Sequence, residues 1–493
     1  VAVKDRLSRG LKMTFLARSV HVLSNAVLMV LLTRFLLSPG EYGILFLALS
    51  IIGVARLFSD LGLAKSAARY VTEFKESDSS QVPYVFETAL KYRLLFIGVV
   101  GCGLALGRHY VATLVGEPAV APLLLVGSVY LGFHSLSVFN ALLFQGFNCV
   151  SWSALVQVVN NVNRIVFAVL FVFVLGFGAL GALLGYLVGA ALGMCVGFVV
   201  LYKYFYSNYE KADEREEGLS RRILEYSAPM TITRGAGVLN TKIDTILIGV
   251  LLNPAAVGFY TLAKQISSSL TVLAGSLGFS ISPTYGEQKV NERLDQASRM
   301  YRKTLEYTLL LYLPGAVGVI IVAEPTIRIV FGEAYLSAAP VLQVLGIYVV
   351  LRAINETTTK ALDFLGRARV RAVAKGSTAV ANFLLNLVLI PRLGVIGAAV
   401  ATVITFGIYT LVNVSVMYSE LPLDSKRLLR PVGLIGVVTA GMGVPVLVAT
   451  QYVSGVFSLV GVVLFGVAIW SALAIRTGLL DIGSTKSFLL SDQ

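Results

Sequence analysis

The chain has 493 residues, of which 56% are AVILMFWYC and only 14% are charged, and its formal charge is +13. A soluble domain keeps about 25% of its residues charged in order to wet its surface, so a water-soluble globular protein is excluded. Apolar runs of about 20 residues recur from end to end, each long enough to cross a hydrocarbon core of about 30 Å as a helix. The runs are continuous and not alternating, which excludes a transmembrane β-barrel. The expected fold is an all-α integral membrane protein of about fourteen transmembrane helices.

In chain order, hydropathy predicts spans near 13–37, 42–64, 87–107, 121–145, 153–175 and 178–202. The first begins near Met13, is span-length and lacks a small-residue cleavage site, so it is expected to be a permanent span and not a signal peptide. A charged loop near 203–222 follows, then spans near 223–252, 257–281, 304–323, 339–363, 377–391 and 395–418, and two more near 431–450 and 455–475. The run at 377–391 is short because Pro391 closes it. Cys102, Cys149 and Cys195 lie in or beside apolar runs without a CxxC pair, so no disulfide framework is expected.

The excess of base is not spread evenly. Lys4, Arg6, Arg9 and Lys12 precede span 1, and its exit at Ser38–Tyr42 has none. Lys65, Arg69, Lys75, Lys91 and Arg93 come next, then an exit with Arg108 alone. The central loop, the stretch Lys289–Lys303, the group Arg367, Arg369, Arg371 and Lys375, and finally Lys426, Arg427 and Arg430 repeat the alternation. This positive-inside pattern places both termini in the cytoplasm and assigns the charge to the inner membrane surface, not to a nucleic-acid partner.

The segment Leu36-Leu37-Ser38-Pro39-Gly40-Glu41-Tyr42-Gly43 has a counterpart 215 residues later in Leu251-Leu252-Asn253-Pro254-Ala255-Ala256-Val257-Gly258. Gly116-Glu117 matches Gly332-Glu333, and Gly178, Gly181 and Ala182 match Gly394, Gly397 and Ala398, all at 216. One offset held through most of six spans marks two repeats. An even number of spans per repeat makes them parallel, with a pseudo-two-fold axis along the membrane normal and a cleft between lobes that opens to either face. The expected division is an N-lobe at 1–205, a charged loop at 206–222, a C-lobe at 223–420, and two accessory spans with a tail at 421–493.

Charged residues at mid-membrane are costly and ask for a partner, a wet cavity or a ligand. Span 1 carries Arg18, His21 and Asn25 on one face, span 2 the i, i+4 pair Arg56 and Asp60, and span 5 Asn160, Asn161, Asn163 and Arg164. Span 7 carries Arg234, Asn240, Lys242 and Asp244, span 8 Lys264, and span 10 a stripe of Arg352, Asn355, Glu356, Thr359, Lys360 and Asp363. Arg34 is expected to snorkel, Lys360 and Asp363 to be solvated at the inner interface, the span-5 asparagines to bond neighbouring helices, and His21 and His134 to be structural. Arg18, Arg56, Arg234, Lys242, Lys264 and Arg352 outnumber Asp60, Asp244 and Glu356, and such an interior suits an anion, phosphate above all. The three acids are candidates for charge balancing or for coupling to H+ or Na+.

No Walker A loop, His-Glu-x-x-His, Asp-x-Asp pair or large outer loop is present, so no catalytic residue, metal site or cofactor is expected. The segments 37–43, Asp60-Leu61-Gly62-Leu63, Lys242–Gly249, Val257–Ala263 and Asn386–Pro391 leading into Gly394–Ala399 resemble the polysaccharide-transporter (Wzx-like oligosaccharide flippase) family of the multidrug/oligosaccharidyl-lipid/polysaccharide exporter superfamily. The likeness runs through nearly the whole chain. It implies a flippase for a polyprenyl-(pyro)phosphate-linked oligosaccharide, working by alternating access in the cell membrane, with membrane lipids as partners. It also implies that Arg18, Arg56, Arg234, Lys242 and Lys264, on spans 1, 2, 7 and 8, grip the (pyro)phosphate, and that spans 13 and 14 shelter the isoprenoid. A cation-coupled multidrug antiporter shares the fold, and an integral membrane glycosyltransferase or polymerase is the enzyme-class alternative.

Overall fold

The computed structural model describes residues 19–271 and 294–480, leaving aside the side chains at 228–230, 232–234, 236 and 425–428. All regular structure among the described residues is helical. Fourteen of the helices correspond to the expected spans: α1 (Ser19–Leu36), α2 (Pro39–Asp60), α4 (Val82–Val115), α5 (Val120–Gly146), α6 (Val150–Val169), α7 (Gly178–Tyr204), α8 (Leu219–Leu251), α9 (Pro254–Leu270), α10 (Leu294–Thr326), α11 (Ala339–Phe364), α12 (Ala368–Leu393), α13 (Val395–Glu420), α14 (Ser425–Thr450) and α15 (Val456–Arg476). Twelve are long and apolar enough on their own to cross a membrane; α8 and α9 are not among them. Arg234, Lys242 and Asp244 lower the apolarity of α8, and α9 is described over 17 residues.

Two stretches depart from the sequence expectation. The bases at 65–75 do not lie in a loop but on α3 (Leu63–Ser77), set off from α2 by left-handed backbone at Leu61 and Gly62. Leu63, Ala67, Tyr70, Val71 and Phe74 recur at helical spacing and are buried, which leaves Lys65, Arg69 and Lys75 to the other faces. The span expected at 377–391 is longer at both ends, since α12 starts at Ala368 and runs through Pro391 to Leu393. A proline in the last turn costs one hydrogen bond, and the bases at its start extend the helix instead of preceding it.

By contacts the chain forms two compact units, Val1–Gly258 and Phe259–Gln493. In the first, Leu63, Val71, Phe139, Phe144, Leu201 and Ile223 build a core from α3, α5, α7 and α8. The starts of α2 and α9 are built alike. Ser38 caps α2 in a capping box with Glu41 and Asn253 accepts from the Ala256 N–H at 2.9 Å, each just ahead of a proline in the first turn. These two turns then pack reciprocally. A Cβ on Gly43 would lie 1.7 Å from the Pro254 carbonyl oxygen, and one on Gly258 would lie 2.4 Å from that of Pro39. Each copy of the repeated motif thus presents its glycine to the other copy's proline, the signature of a local two-fold relation.

Further along, α7 carries Gly185, Gly189, Gly193 and Gly197 at four-residue spacing, and each faces a neighbour. A Cβ there would meet the Ala168 nitrogen at 2.4 Å, the Asn160 oxygen at 2.6 Å, the Asn160 Cβ at 3.2 Å and the Asn140 Nδ2 at 2.6 Å. Such a stripe lets helices approach where no hydrophobic effect drives them together. In the second unit, α10, α11, α13 and α14 share a core that includes Tyr301, Leu309, Leu362, Met417 and Ile435.

Replacing Gly189 with leucine is expected to cost about 1–3 kcal/mol through overpacking, read as a lower melting temperature in detergent. Gly98→Ala, whose Cβ meets nothing within 4 Å, is the control expected to melt at or above the parent temperature.

Candidate functional site

Two of the sequence candidates fall on α2, where they join a third residue that composition had assigned to a loop. Arg93 is fully buried, and its Nη2 donates to Asp60 Oδ1 at 2.7 Å and to the Ser135 carbonyl at 2.6 Å. Ser135 Oγ also donates to Asp60, at 2.9 Å. Arg56, one turn back, stands 3.7 Å from the other carboxylate oxygen and keeps a third of its side chain exposed. Asp60 therefore has Arg93 as its first partner and Arg56 as its second. Arg93, counted in the charge pattern with the bases of the inner membrane surface, is instead fully buried: α4 runs 34 residues and carries it into the protein.

On α8, Asp244 is buried, and Lys242 lays its stem along α2, its Cε 3.4 Å from where a Gly53 Cβ would be. A Cβ at Gly53 would rest in ordinary contact with this stem. Arg234 occupies the same helix, but its side chain and the whole of Arg18 lie outside the described residues.

In the first unit a second polar group surrounds a cavity of about 290 Å³ among α1, α5, α6 and α7. His21 meets Asn25 at 2.9 Å and Asn161 at 3.1 Å, and Arg164 donates to Asn25 Oδ1 at 2.8 Å. The span-5 asparagines divide. Asn160 and Asn161 both line the cavity and Asn161 also bonds across to α1, whereas Asn163 donates to the Val159 carbonyl of its own helix at 2.8 Å. Arg164 was visible in the sequence as a member of the span-5 polar stripe; what singles it out is its burial, which the stripe alone does not disclose.

The second unit holds the remaining candidates on α9 and α11. Lys264 Nζ donates to Tyr260 Oη at 3.4 Å, one turn from Ser268. Arg352 donates to Tyr348 Oη at 3.3 Å and to Ser268 Oγ at 3.5 Å, with Glu356 at 3.9 Å. Lys264 and Arg352 are thus brought to one seam, each half-buried beside a tyrosine hydroxyl. Lys375 of α12, counted in the sequence with a basic loop, lies within electrostatic range of Arg352 and Glu356. Asp363 pairs with Arg371, so the inner end of the α11 stripe has its own counter-ion. Asn355 and Asn413 bond each other at 2.8 Å deeper in the bundle.

The same unit contains a cavity of about 360 Å³ of opposite character. Leu311, Gly318, Met442, Val446, Val463 and Trp470 are among the residues of α10, α14 and α15 that line it, together with Leu270. Among the described residues, none that lines it is charged.

A model of the polysaccharide biosynthesis protein family matches residues 7–287. The chain belongs to this family. A second model, MatE, matches residues 229–388. Among curated relatives, the probable low-salt glycan biosynthesis flippase Agl15 of Haloferax volcanii is 24% identical over 39% of this chain and 41% of its own length. The probable flippase AglR of the same organism is 30% identical over 39% of this chain and 40% of its own. The chain therefore spans about two fifths of the length of these two relatives. An uncharacterised membrane protein of Methanocaldococcus jannaschii is 21% identical over 87% of this chain and 88% of its own. The fold is that of the lipid II flippase MurJ in an inward closed conformation, with a TM-score of 0.76 and 17% identity over 95% of this chain and 98% of that one. An inward-facing multidrug resistance MATE family transporter follows it with a TM-score of 0.68 and 14% identity over 81% and 95%. The chain is a multi-pass α-helical membrane protein of the polysaccharide biosynthesis protein family.

Because Arg93 is fully buried, Asp60→Asn leaves it without its charge partner, an uncompensated ion that costs about 3–5 kcal/mol. Asp60→Asn and Arg93→Met are each expected to destabilise strongly in detergent melts. The double variant is expected to recover much of the loss, and additive losses would show that the pair is not coupled.

Proposed function

We propose that the chain is a flippase that carries a polyprenyl-(pyro)phosphate-linked oligosaccharide from the cytoplasmic to the outer leaflet of the cell membrane, for cell-surface polysaccharide or glycoprotein biosynthesis. The observation that carries the reading is the coexistence of an interior rich in base and a cavity without charge. Such a pair of environments matches an amphiphile with an anionic head and a long apolar tail.

Arg56, Lys242, Lys264 and Arg352, together with Arg18 and Arg234, are the proposed grip on the (pyro)phosphate. Arg and Lys bind phosphate through charge-assisted hydrogen bonds that strengthen where water is scarce. Asp60 and Glu356 then balance charge, since each already faces an arginine. The cavity bounded by α14 and α15 is the proposed shelter for the isoprenoid. Each buried CH2 contributes about 0.8 kcal/mol relative to water, so the tail stays in apolar surroundings throughout. Alternating access follows if the bound anion offsets repulsion among the bases and so eases closure at the cytoplasmic side. The alternation of basic and base-free segments supports cytoplasmic termini.

A second reading, a cation-coupled drug antiporter, is favoured by the MatE match over residues 229–388. It needs a carboxylate free to change its protonation or bind an ion. Asp60, bonded to Arg93 and Ser135, does not meet that need.

The test is leaflet exchange in proteoliposomes that contain a labelled polyprenyl-linked sugar, probed by an impermeant enzyme added outside. The protein is expected to bring the protected half outward, and Arg56→Gln and Arg234→Gln are each expected to slow this at least tenfold. Unchanged flipping in both variants would sink the anion grip, and proton- or sodium-driven efflux of a cationic dye without lipid movement would favour the antiporter. Filling the apolar cavity by Gly318→Phe is expected to slow long-chain carriers more than a short-chain analogue, read in the same assay.

A further inference from the structure

Arg164 is 9% exposed and carries a full charge into the first unit. Its Nη2 is held by Asn25 and its Cζ lies 4.9 Å from the centre of the Tyr186 ring. Its Nε has no hydrogen-bond partner, and no carboxylate pairs with it among the described residues. The two acids of this unit's interior are elsewhere, Asp60 in the Arg93 pair and Asp244 buried on α8. A buried intramembrane arginine without a counter-ion is by default a binding residue.

The cavity that Arg164 lines is built for more than charge. Gln157, Asn160 and Asn161 recur with Arg164 at helical spacing and line it, facing Tyr130, His134 and Tyr186 from α5 and α7. Among the described residues, Gln157, Asn160, Tyr130 and Tyr186 have no side-chain hydrogen bond, so amide and phenol groups that both donate and accept remain for a ligand. Tyr130 stacks on His134 at 5.3 Å and meets Tyr186 edge-on at 6.1 Å, which gives the cavity a rigid aromatic wall. The cavity of about 290 Å³ lies at the small end of ligand pockets, which run from about 300 to 1,000 Å³, and so suits a single sugar ring. An inorganic anion would call for donors alone. A neutral sugar would leave the guanidinium buried and unpaired, at a cost. At the repeat offset of 216 residues the arginine is replaced by Val380, so the feature belongs to one repeat only.

From this geometry we infer that the cavity among α1, α5, α6 and α7 is a subsite for one acidic monosaccharide, a hexuronate whose carboxylate pairs with Arg164. Gln157 and Asn160 take its hydroxyls and the tyrosines cover the ring. The inference rests on the flippase reading for its biological sense, and it makes the glycan of the transported lipid an acidic one. A carboxylate lost from the ligand leaves Arg164 desolvated and unpaired, so discrimination against the neutral sugar is large.

The experiment titrates the purified full chain, in detergent, with methyl glucuronide, methyl glucoside and inorganic phosphate by calorimetry. The glucuronide is expected to bind at least tenfold more tightly than the glucoside and than phosphate. Arg164→Gln is expected to abolish that preference and Arg164→Lys to retain part of it, both checked for a parent-like melting curve. Equal binding of the two sugars, binding of neither, or a preference that survives Arg164→Gln overturns the subsite. Phosphate that binds as tightly as the glucuronide and displaces it also overturns it, by assigning the cavity to a phosphate head. In proteoliposomes, a uronate-bearing lipid is expected to flip faster than its hexose twin, with the ratio falling to one in Arg164→Gln. If the wild type flips neither lipid yet binds the glucuronide through Arg164, the flippase reading fails and the subsite stands.

Discussion

A guanidinium or carboxylate taken out of water costs several kcal/mol even after relaxation, and in hydrocarbon no solvent is at hand to offset it. The pair between Arg93 and Asp60 is where a fully buried guanidinium of this chain meets the constraint. Arg93 satisfies it by reaching one carboxylate oxygen and one main-chain carbonyl from a fully buried position, and Ser135 adds a hydroxyl to the same oxygen. The three groups come from α2, α4 and α5, so one ionic contact fixes the mutual placement of three helices. With Asp60 committed, the other cations of the membrane interior must be understood without it. Arg56 stands beside a carboxylate that has a better partner, Arg164 has none among the described residues, and Lys264 and Arg352 sit against tyrosine hydroxyls. On the proposed reading, the surplus charge serves the anion that the protein carries.

The backbone is arranged by a different device. Lipid gives helices little reason to associate, so close approach depends on residues without side chains. The α7 glycine stripe brings α6 near enough that the Asn160 carbonyl and the Arg164 Cβ fall within 3 Å of where a Gly189 Cβ would be. Packing and site are therefore coupled, because a helix held at greater distance would present Gln157, Asn160 and Arg164 to a different space. The reciprocal packing of Gly43 with Pro254 and of Gly258 with Pro39 does the same for the repeated motif.

Most of the architecture is legible in the chain because lipid imposes a simple code. Apolar length, loop charge and a constant offset are each independent of side-chain contacts, and they lead to the spans, the repeats and the family. What escapes that code is depth. Arg93 and Lys375 carry the composition of a loop, yet the helices α4 and α12 begin well before their apolar stretches and draw both residues into the bundle. The bases of α3 likewise give the stretch the charge of a loop, while the period of Leu63, Ala67, Tyr70 and Phe74 makes it a helix. The i, i+4 spacing of Arg56 and Asp60 suggested a pair on one helix, but the stronger partner comes from 33 residues away, and no local pattern announces it. For Arg164, spacing showed the face it shares with Asn160 and Asn161, whereas the absence of an acid opposite is a property of the assembled helices.

If the interior cations hold an anionic lipid head, the head group decides the affinity. Equilibrium binding of a polyprenyl diphosphate and the polyprenol of equal chain length to the protein in nanodiscs, read by native mass spectrometry, measures this. The diphosphate is expected to bind at least tenfold more tightly, about 1.4 kcal/mol, with the difference shrinking as Arg56, Lys264 and Arg352 are neutralised in turn. Equal binding of the two lipids, or a preference indifferent to all three substitutions, would contradict it.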